Sequence, residues 1–233
     1  MKDLHYGIIL EQDILLRDIK QSIKESFTVH GQETNMHLVN LDGTDILVGC
    51  GRASPIVAVI VEIFSRTGIK KAFRIATSGS LQENLLEGDV VLCTAAIRGE
   101  GTTNCYISPD FPAVADFALT NRLADRLAAQ NISYTLGTIW TTDGRFVETD
   151  ELLKKYQKCG VLAVDMESSA FLLVSMLKGI QAATMSIVAD APWRDLGGDI
   201  KGRRSDDVYD KCILPSMRRC LKTVCSLICK EED

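Results

Sequence analysis

A chain of 233 residues, 46% hydrophobic and 24% charged, is long enough to bury one continuous α/β core. Its net charge of −5 excludes a protein that grips nucleic acid through a basic face, while a small anion needs only a few well-placed arginines. No apolar run approaches the roughly 20 residues that cross a bilayer, and the longest, from Pro55 to Val61, stops at Glu62.

The first strand is expected at Tyr6–Leu10, and Leu15, Leu16, Ile19, Ile23 and Phe27 then recur at helical spacing, predicting one helix across them. Residues 36–41 and 45–49 read as strands joined by a turn at Asp42-Gly43. Ser54 is placed to cap a helix with Pro55 at its first position and Gly68 at its end. Residues 72–77 form an apolar strand running into a Ser78-Gly79-Ser80 turn, followed by a strand over 89–97 and a helix over 113–129. A strand over 133–141, a helix over 150–157, a strand over 161–164 and a helix over 166–177 come next. A strand over 182–189 and a long helix over 205–229 complete the chain. Alternating strands and helices, with near-continuous apolar strands, predict one α/β domain over residues 1–233: a mostly parallel or mixed central sheet covered by helices.

No sustained apolar stretch with a cleavage site follows the N-terminus, so the expected location is cytoplasmic, with no membrane partner. The eight cysteines (Cys50, Cys93, Cys105, Cys159, Cys212, Cys220, Cys225 and Cys229) contain no CxxC pair, and His5, His30 and His37 lie far from the C-terminal group. Reduced, mostly buried thiols are therefore expected, and no metal.

In such a sheet the ligand lies beyond the carboxyl ends of the strands. Polar residues gather there: Arg52, Thr77 and Ser78, the group Thr141, Thr142 and Asp143, the run Asp165-Met166-Glu167, and Asp190. Arg74 sits inside an apolar strand, which is costly unless it meets an anion or pairs with a carboxylate, and the sequence leaves both open. Asp165 and Glu167 flank Met166 at a strand-to-helix junction, so one carboxylate can cap the helix while the other faces the crevice. Asp190 ends a buried strand, as either a loop residue or an acid.

These motifs carry a resemblance. Arg74-Ile75, Ser78-Gly79, Gly88-Asp89-Val90 and the run from Phe111 to Phe117 resemble the uridine phosphorylases. Residues 160–170 are similar to the V-E-M-E signature of the nucleoside phosphorylase superfamily, and Gly49-Cys50-Gly51 with Pro55 resembles its glycine-rich turn. The resemblance implies phosphorolysis of a nucleoside, with phosphate as co-substrate and no other cofactor, in a homodimer or a hexamer built as a trimer of dimers. It assigns phosphate to Arg74 and Thr77, with Arg52 as a substitute. It assigns the nucleoside to Ser78, Gly79, Asp165, Met166, Glu167, Arg145 and Phe146, and catalysis to Glu167 and Asp190. Asp190 falls where the purine-specific branch keeps its proton donor, so a purine base is expected.

The sequence also departs from the family. Leu10-Glu11-Gln12-Asp13 replaces the Gly-Asp-Pro phosphate loop, and Gly31 or Gln32 stands near the place of the neighbouring subunit's arginine. Arg17 is a second substitute, though it reads better as a solvated helix residue. The acidic group before Leu15-Leu16-Arg17-Asp18 resembles the methylthioadenosine nucleosidases, where a glutamate activates water, so Glu11 or Asp13 could serve hydrolysis. Arg145 occupies the place of a stacking phenylalanine, leaving Phe146, Trp140 or Trp193 to stack. The uracil-reading residues have no counterpart near 147–150. His5 is too close to the first strand to match the histidine that reaches the ribose 5′ end. Three readings stay open: a phosphorylase, a hydrolase, and a nucleoside-binding protein whose catalysis has decayed.

Overall fold

Apolar runs bounded by turn residues become strands, and ten of them join one sheet among the described residues of the computed structural model: 4–11, 13–19, 22–29, 34–146, 148–192 and 206–230. In chain order these are β1 (Tyr6–Leu10), α1 (Ile14–Asp18), β2 (Ile23–Val29), β3 (Thr34–Leu41), β4 (Thr44–Cys50) and α2 (Ser54–Arg66). Then follow β5 (Lys71–Ser80), β6 (Val90–Gly99), β7 (Ala113–Val114), α3 (Phe117–Ala129), β8 (Tyr134–Thr142) and α4 (Asp150–Lys158). The chain continues through β9 (Ala163–Asp165), α5 (Ser168–Leu177), β10 (Gln181–Asp190), α6 (Asp206–Val208), a π-helical turn (Tyr209–Ile213) and α7 (Leu214–Lys230). The α/β class and mixed sheet agree with the sequence reading.

The strand order is β10-β6-β8-β9-β5-β1-β4-β3-β2, and β10 also pairs with β5. Strands β5, β10, β6, β8 and β9 therefore close a circuit, while β1 to β4 extend from it as an open wing. Pairings of β1 with β4 and β5, of β10 with β5, and of β8 with β6 and β9 are parallel; the wing β2-β3-β4 is antiparallel. Alternation along β1 shows how the faces are covered. Tyr6, Ile8 and Leu10 point to a core with Leu123 and Leu127 of α3 and Met217, Leu221 and Val224 of α7. Ile9 points the other way, to Val57, Val61 and Phe64 of α2 and Phe171 and Leu172 of α5.

Several boundaries differ from the sequence reading. The helix expected through Phe27 stops at Asp18, because residues 23–29 also alternate with period two and β3 offers them a backbone ladder. Ser54 is the first helical residue and Ala53 the cap. Ser78, Gly79 and Ser80 continue β5, since β10 and β9 pair with it to its end. Residues 113–114 pair with β6, so α3 begins only at Phe117, capped by the Asp116 carboxylate on the Leu119 N–H at 2.8 Å. The Asp42-Gly43 turn is as expected: both residues have positive φ, 45° and 101°, the two-residue hairpin geometry that matches strand twist. All eight cysteines are free thiols, and Cys105, Cys159 and Cys212 are exposed, against the expectation of mostly buried ones. Among the described residues no helix is long and apolar enough to cross a membrane.

Candidate active site

One gap in the sheet creates the centre of the site. β1 pairs with one edge of β5 only as far as Ile75, and β9 joins that edge only at Gly79. The Thr77 N–H lies between them, beyond reach of either strand's ladder. Glu11, the first residue past β1, turns its carboxylate into this gap. It accepts a short hydrogen bond from the Thr77 N–H and bonds at 2.9 and 3.0 Å from the Thr77 hydroxyl. Arg52 Nε lies 3.8 Å from the same carboxylate and donates to the Glu11 carbonyl at 3.2 Å.

Beside this gap, Arg74 is almost wholly buried, and the two carboxylates of the β9–α5 junction hold it. Nη1 donates to Asp165 Oδ2 at 3.0 Å and to Ser168 Oγ at 3.2 Å; Nη2 donates to Glu167 Oε2 at 2.5 Å. The sequence leaves Arg74 open between an anion and a carboxylate partner, and the structure gives it two carboxylates. Burial alone would lower its pKa, but Asp165, Glu167 and Glu11 together outweigh burial and hold it up.

Of the two acids at the junction, Asp165 is the one that satisfies the start of α5. Asp165 accepts from Thr141 Oγ1 at 2.8 Å, from Ser168 Oγ at 2.6 Å and from the Ser168 N–H at 3.1 Å, capping α5. Its oxygens are spent within the protein, so its place is under the site and not against a nucleoside. Glu167 is buried too, and bridges Arg74 to the start of α2. Its Oε1 accepts from the Ala53 N–H at 2.7 Å, and Ser54 Oγ donates to the Met166 carbonyl at 2.7 Å, tying the α2 entrance to the α5 entrance. Ala53 holds φ +69° and ψ 143°, a conformation that costs a side-chain-bearing residue roughly 1–3 kcal/mol. Burial, with the charges of Asp165 and Glu11, pushes the Glu167 carboxyl up to about 7 against the opposing pull of Arg74 and the Ala53 N–H.

A second pair lies at the end of β10. Arg145 Nη2 donates to Asp190 Oδ2 at 3.0 Å. Asp190 is opposite Gly79 in the β5 register, and a Cβ on Gly79 would stand 2.8 Å from Asp190 Oδ1 and 2.6 Å from Pro192. Gly79 thus admits the end of β10 against β5. Ser78, between this pair and the Thr77 gap, is buried with its hydroxyl unpartnered among the described residues.

The structure therefore brings Arg52, Arg74, Thr77, Asp165, Met166 and Glu167 together, with Glu11 among them, and places Ser78, Gly79, Arg145 and Asp190 at the adjoining strand ends. Phe146 is 69% exposed beside Arg145. Trp140 is already stacked on Tyr156, with ring centroids 4.4 Å apart, in a buried group with Leu153 and Val164, so it does not stack a base. Trp193, Gly31, Gln32, His30, Gln12 and Ser205 lie outside the described residues. Ala53 and Ser168 are parts of the site that the sequence reading missed. Ser168 had a signal, a hydroxyl three residues after Asp165; Ala53 had none, because a backbone angle leaves no mark on its side chain.

Known proteins resemble this chain along most of its length. The model of the phosphorylase superfamily matches residues 6–212. A guanosine phosphorylase of Halorubrum lacusprofundi is 28% identical over 223 residues, covering 94% of this chain and 91% of the relative. A uridine phosphorylase of Treponema pallidum is 28% identical over 197 residues, 79% of this chain and 76% of the relative. A solved uridine phosphorylase of Vibrio fischeri superposes with TM-score 0.83 at 24% identity, covering 97% of this chain and 92% of that one, which bears on the fold. With its matched span taking in every residue of the site described above, the chain belongs to the phosphorylase superfamily.

Proposed function

We propose that this protein is a nucleoside phosphorylase, a pentosyltransferase of the cytoplasm that cleaves the N-glycosidic bond of a purine nucleoside with phosphate, releasing free base and pentose 1-phosphate. One juxtaposition carries the reading: a buried carboxylate, Glu167, fixed by Arg74 and the Ala53 N–H, in one cluster with the Thr77 donors, which hold an anionic group. Cleavage of a glycosidic bond passes through an oxocarbenium-like state, so the enzyme must anchor the sugar, present an anion to C1′ and neutralise the departing base.

Glu167 accepts from the sugar hydroxyls, with Met166 alongside. The Thr77 N–H and hydroxyl, with Arg52, hold phosphate. Arg74 acts through Glu167, fixing its orientation and adding positive potential, because its guanidinium is bonded to protein carboxylates. As phosphate oxygen bonds to C1′, the C1′–N bond breaks and its electron pair passes to the base. Asp190 and Arg145 stand ready to supply a proton or hydrogen bond there, and Ser78 offers a further hydroxyl. The purine preference is supported by Asp190 and by the similarity to a guanosine phosphorylase over 94% of the chain. Neither a metal nor an organic cofactor is needed for these steps. A homodimer or a hexamer of three dimers is the assembly proposed, read out by light scattering on a sizing column.

The test is base release from a panel of purine and pyrimidine nucleosides, with and without phosphate. Phosphate-dependent release from purine nucleosides is expected; full-rate release without phosphate overturns the phosphorylase. A second reading, hydrolysis, is favoured by one observation: the Glu11 carboxylate sits on the Thr77 donors, where it could hold and deprotonate water.

A further inference from the structure

The donors assigned to phosphate are engaged by a carboxylate of the chain itself. Glu11 takes both hydrogen-bond donors of Thr77 and faces Arg52. A second anion cannot share those donors, and Arg74, with its bonds to Asp165, Ser168 and Glu167, leaves a surplus of negative charge around one guanidinium. Two like charges at hydrogen-bond range repel strongly in a partly desolvated crevice.

We propose that Glu11 is a tethered anion that occupies the Thr77–Arg52 cradle in competition with phosphate, and so determines which nucleophile reaches the sugar. The inference rests on the phosphorylase reading of the same site.

The backbone of Glu11 is held in place: its N–H donates to the Ile75 carbonyl at 3.2 Å, and its carbonyl accepts from Arg52 Nε at 3.2 Å. Release of the cradle therefore needs only rotation of the Glu11 side chain, without movement of the sheet. While the carboxylate is in place the cradle is closed to phosphate and can instead hold a water against a base. When it swings out, Thr77 N–H, Thr77 Oγ1 and Arg52 become available together. A site whose competent form is only a fraction of the population binds more weakly by that fraction.

The experiment is calorimetric titration of the full chain with inorganic phosphate, for the wild type, Glu11→Ala and Glu11→Asp. Glu11→Ala is expected to bind phosphate at least about tenfold more tightly, the gain from emptying a cradle that is occupied about nine-tenths of the time or more. Glu11→Asp keeps the charge but is one methylene shorter, so occupancy of the cradle predicts tighter binding for it as well. Equal or weaker phosphate binding by Glu11→Ala overturns the proposal. Tightening in Glu11→Ala but not in Glu11→Asp also overturns it, because that is simple repulsion at a distance. Thermal unfolding checks that each variant is folded, and Glu11→Gln, which keeps the volume, replaces alanine if that variant is not. Turnover is read separately. Phosphate-independent base release with affinities that still separate sinks the phosphorylase and leaves the gate standing, whereas phosphorolysis with equal affinities sinks the gate alone.

Discussion

In the proposed mechanism Glu167 concentrates the chemistry at the level of single residues, because its environment sets both its orientation and its charge. An ionised carboxylate accepts from sugar hydroxyls more strongly than a protonated one, and burial with the neighbouring acids pushes this carboxyl up to about 7. Below that pH the group is protonated and loses acceptor capacity, so kcat/KM should fall as pH drops through about 7. Glu11 contributes to the upward push, so Glu11→Gln should move this acid limb to lower pH. A pH–rate profile of both proteins checks it, and a limb that stays near the ordinary carboxylate range in the wild type contradicts it. Ala53 is the other residue whose conformation matters. Its positive φ suits glycine, so Ala53→Gly should raise stability by about 1 kcal/mol in urea unfolding while keeping the N–H on Glu167. Unchanged or lower stability would mean that the backbone is not strained there. The thiols of Cys50, Cys93, Cys220 and Cys225 are pushed up to about 12, chiefly by burial, which disfavours the thiolate at neutral pH.

At the scale of elements, the site is made by strand ends of unequal length. β5 outlasts β1 by several residues and meets β9 only at its tip, which leaves the Thr77 donors beyond the backbone ladder. The same tip must admit β10, and Gly79 makes room for Asp190 and Pro192. Gly79→Ala should cost roughly 1–3 kcal/mol through overpacking, and it should lower kcat by displacing Asp190 from Arg145. Unfolding and steady-state kinetics on one preparation test both effects; a variant as stable and active as the wild type would show that the β5–β10 contact tolerates a methyl group. Helix entrances finish the construction. Asp165 satisfies the first turn of α5 while anchoring Arg74, and the start of α2 presents the Ala53 N–H to Glu167. These helices fix the chemistry through their termini and the core through their apolar faces.

For the molecule as a whole, the buried carboxylates link stability to pH. The Glu167 carboxyl is pushed up to about 7 from the ordinary 4.5 of a glutamate, chiefly by burial, so folding takes up a proton within that window and stability falls as pH rises through it. Glu167→Gln stays neutral, so its stability relative to wild type should climb between about pH 5 and pH 7.5, by a few kcal/mol at most. Denaturant unfolding at both pH values decides it, and a constant difference contradicts it. Closure of the circuit through β5 and β10 sets the end of β10 against the end of β5, while β1 and the antiparallel β9 approach the other edge of β5 from opposite directions, so that residues from 11 to 190 in the sequence meet along β5.

The sequence by itself determined the alternation of strands and helices, the two-residue hairpin at Asp42-Gly43, and the placing of Glu167 and Asp190 at strand ends. Each is a local matter of hydrophobic period, turn chemistry or polar residues following an apolar run. Only the tertiary structure decided that residues 23–29 pair as a strand, that Arg74 is held by two carboxylates, that Ala53 donates to Glu167 and that Glu11 sits on Thr77. Those outcomes depend on which backbone groups a distant segment leaves unpaired, and on the burial that turns a polar side chain into one that must find a partner.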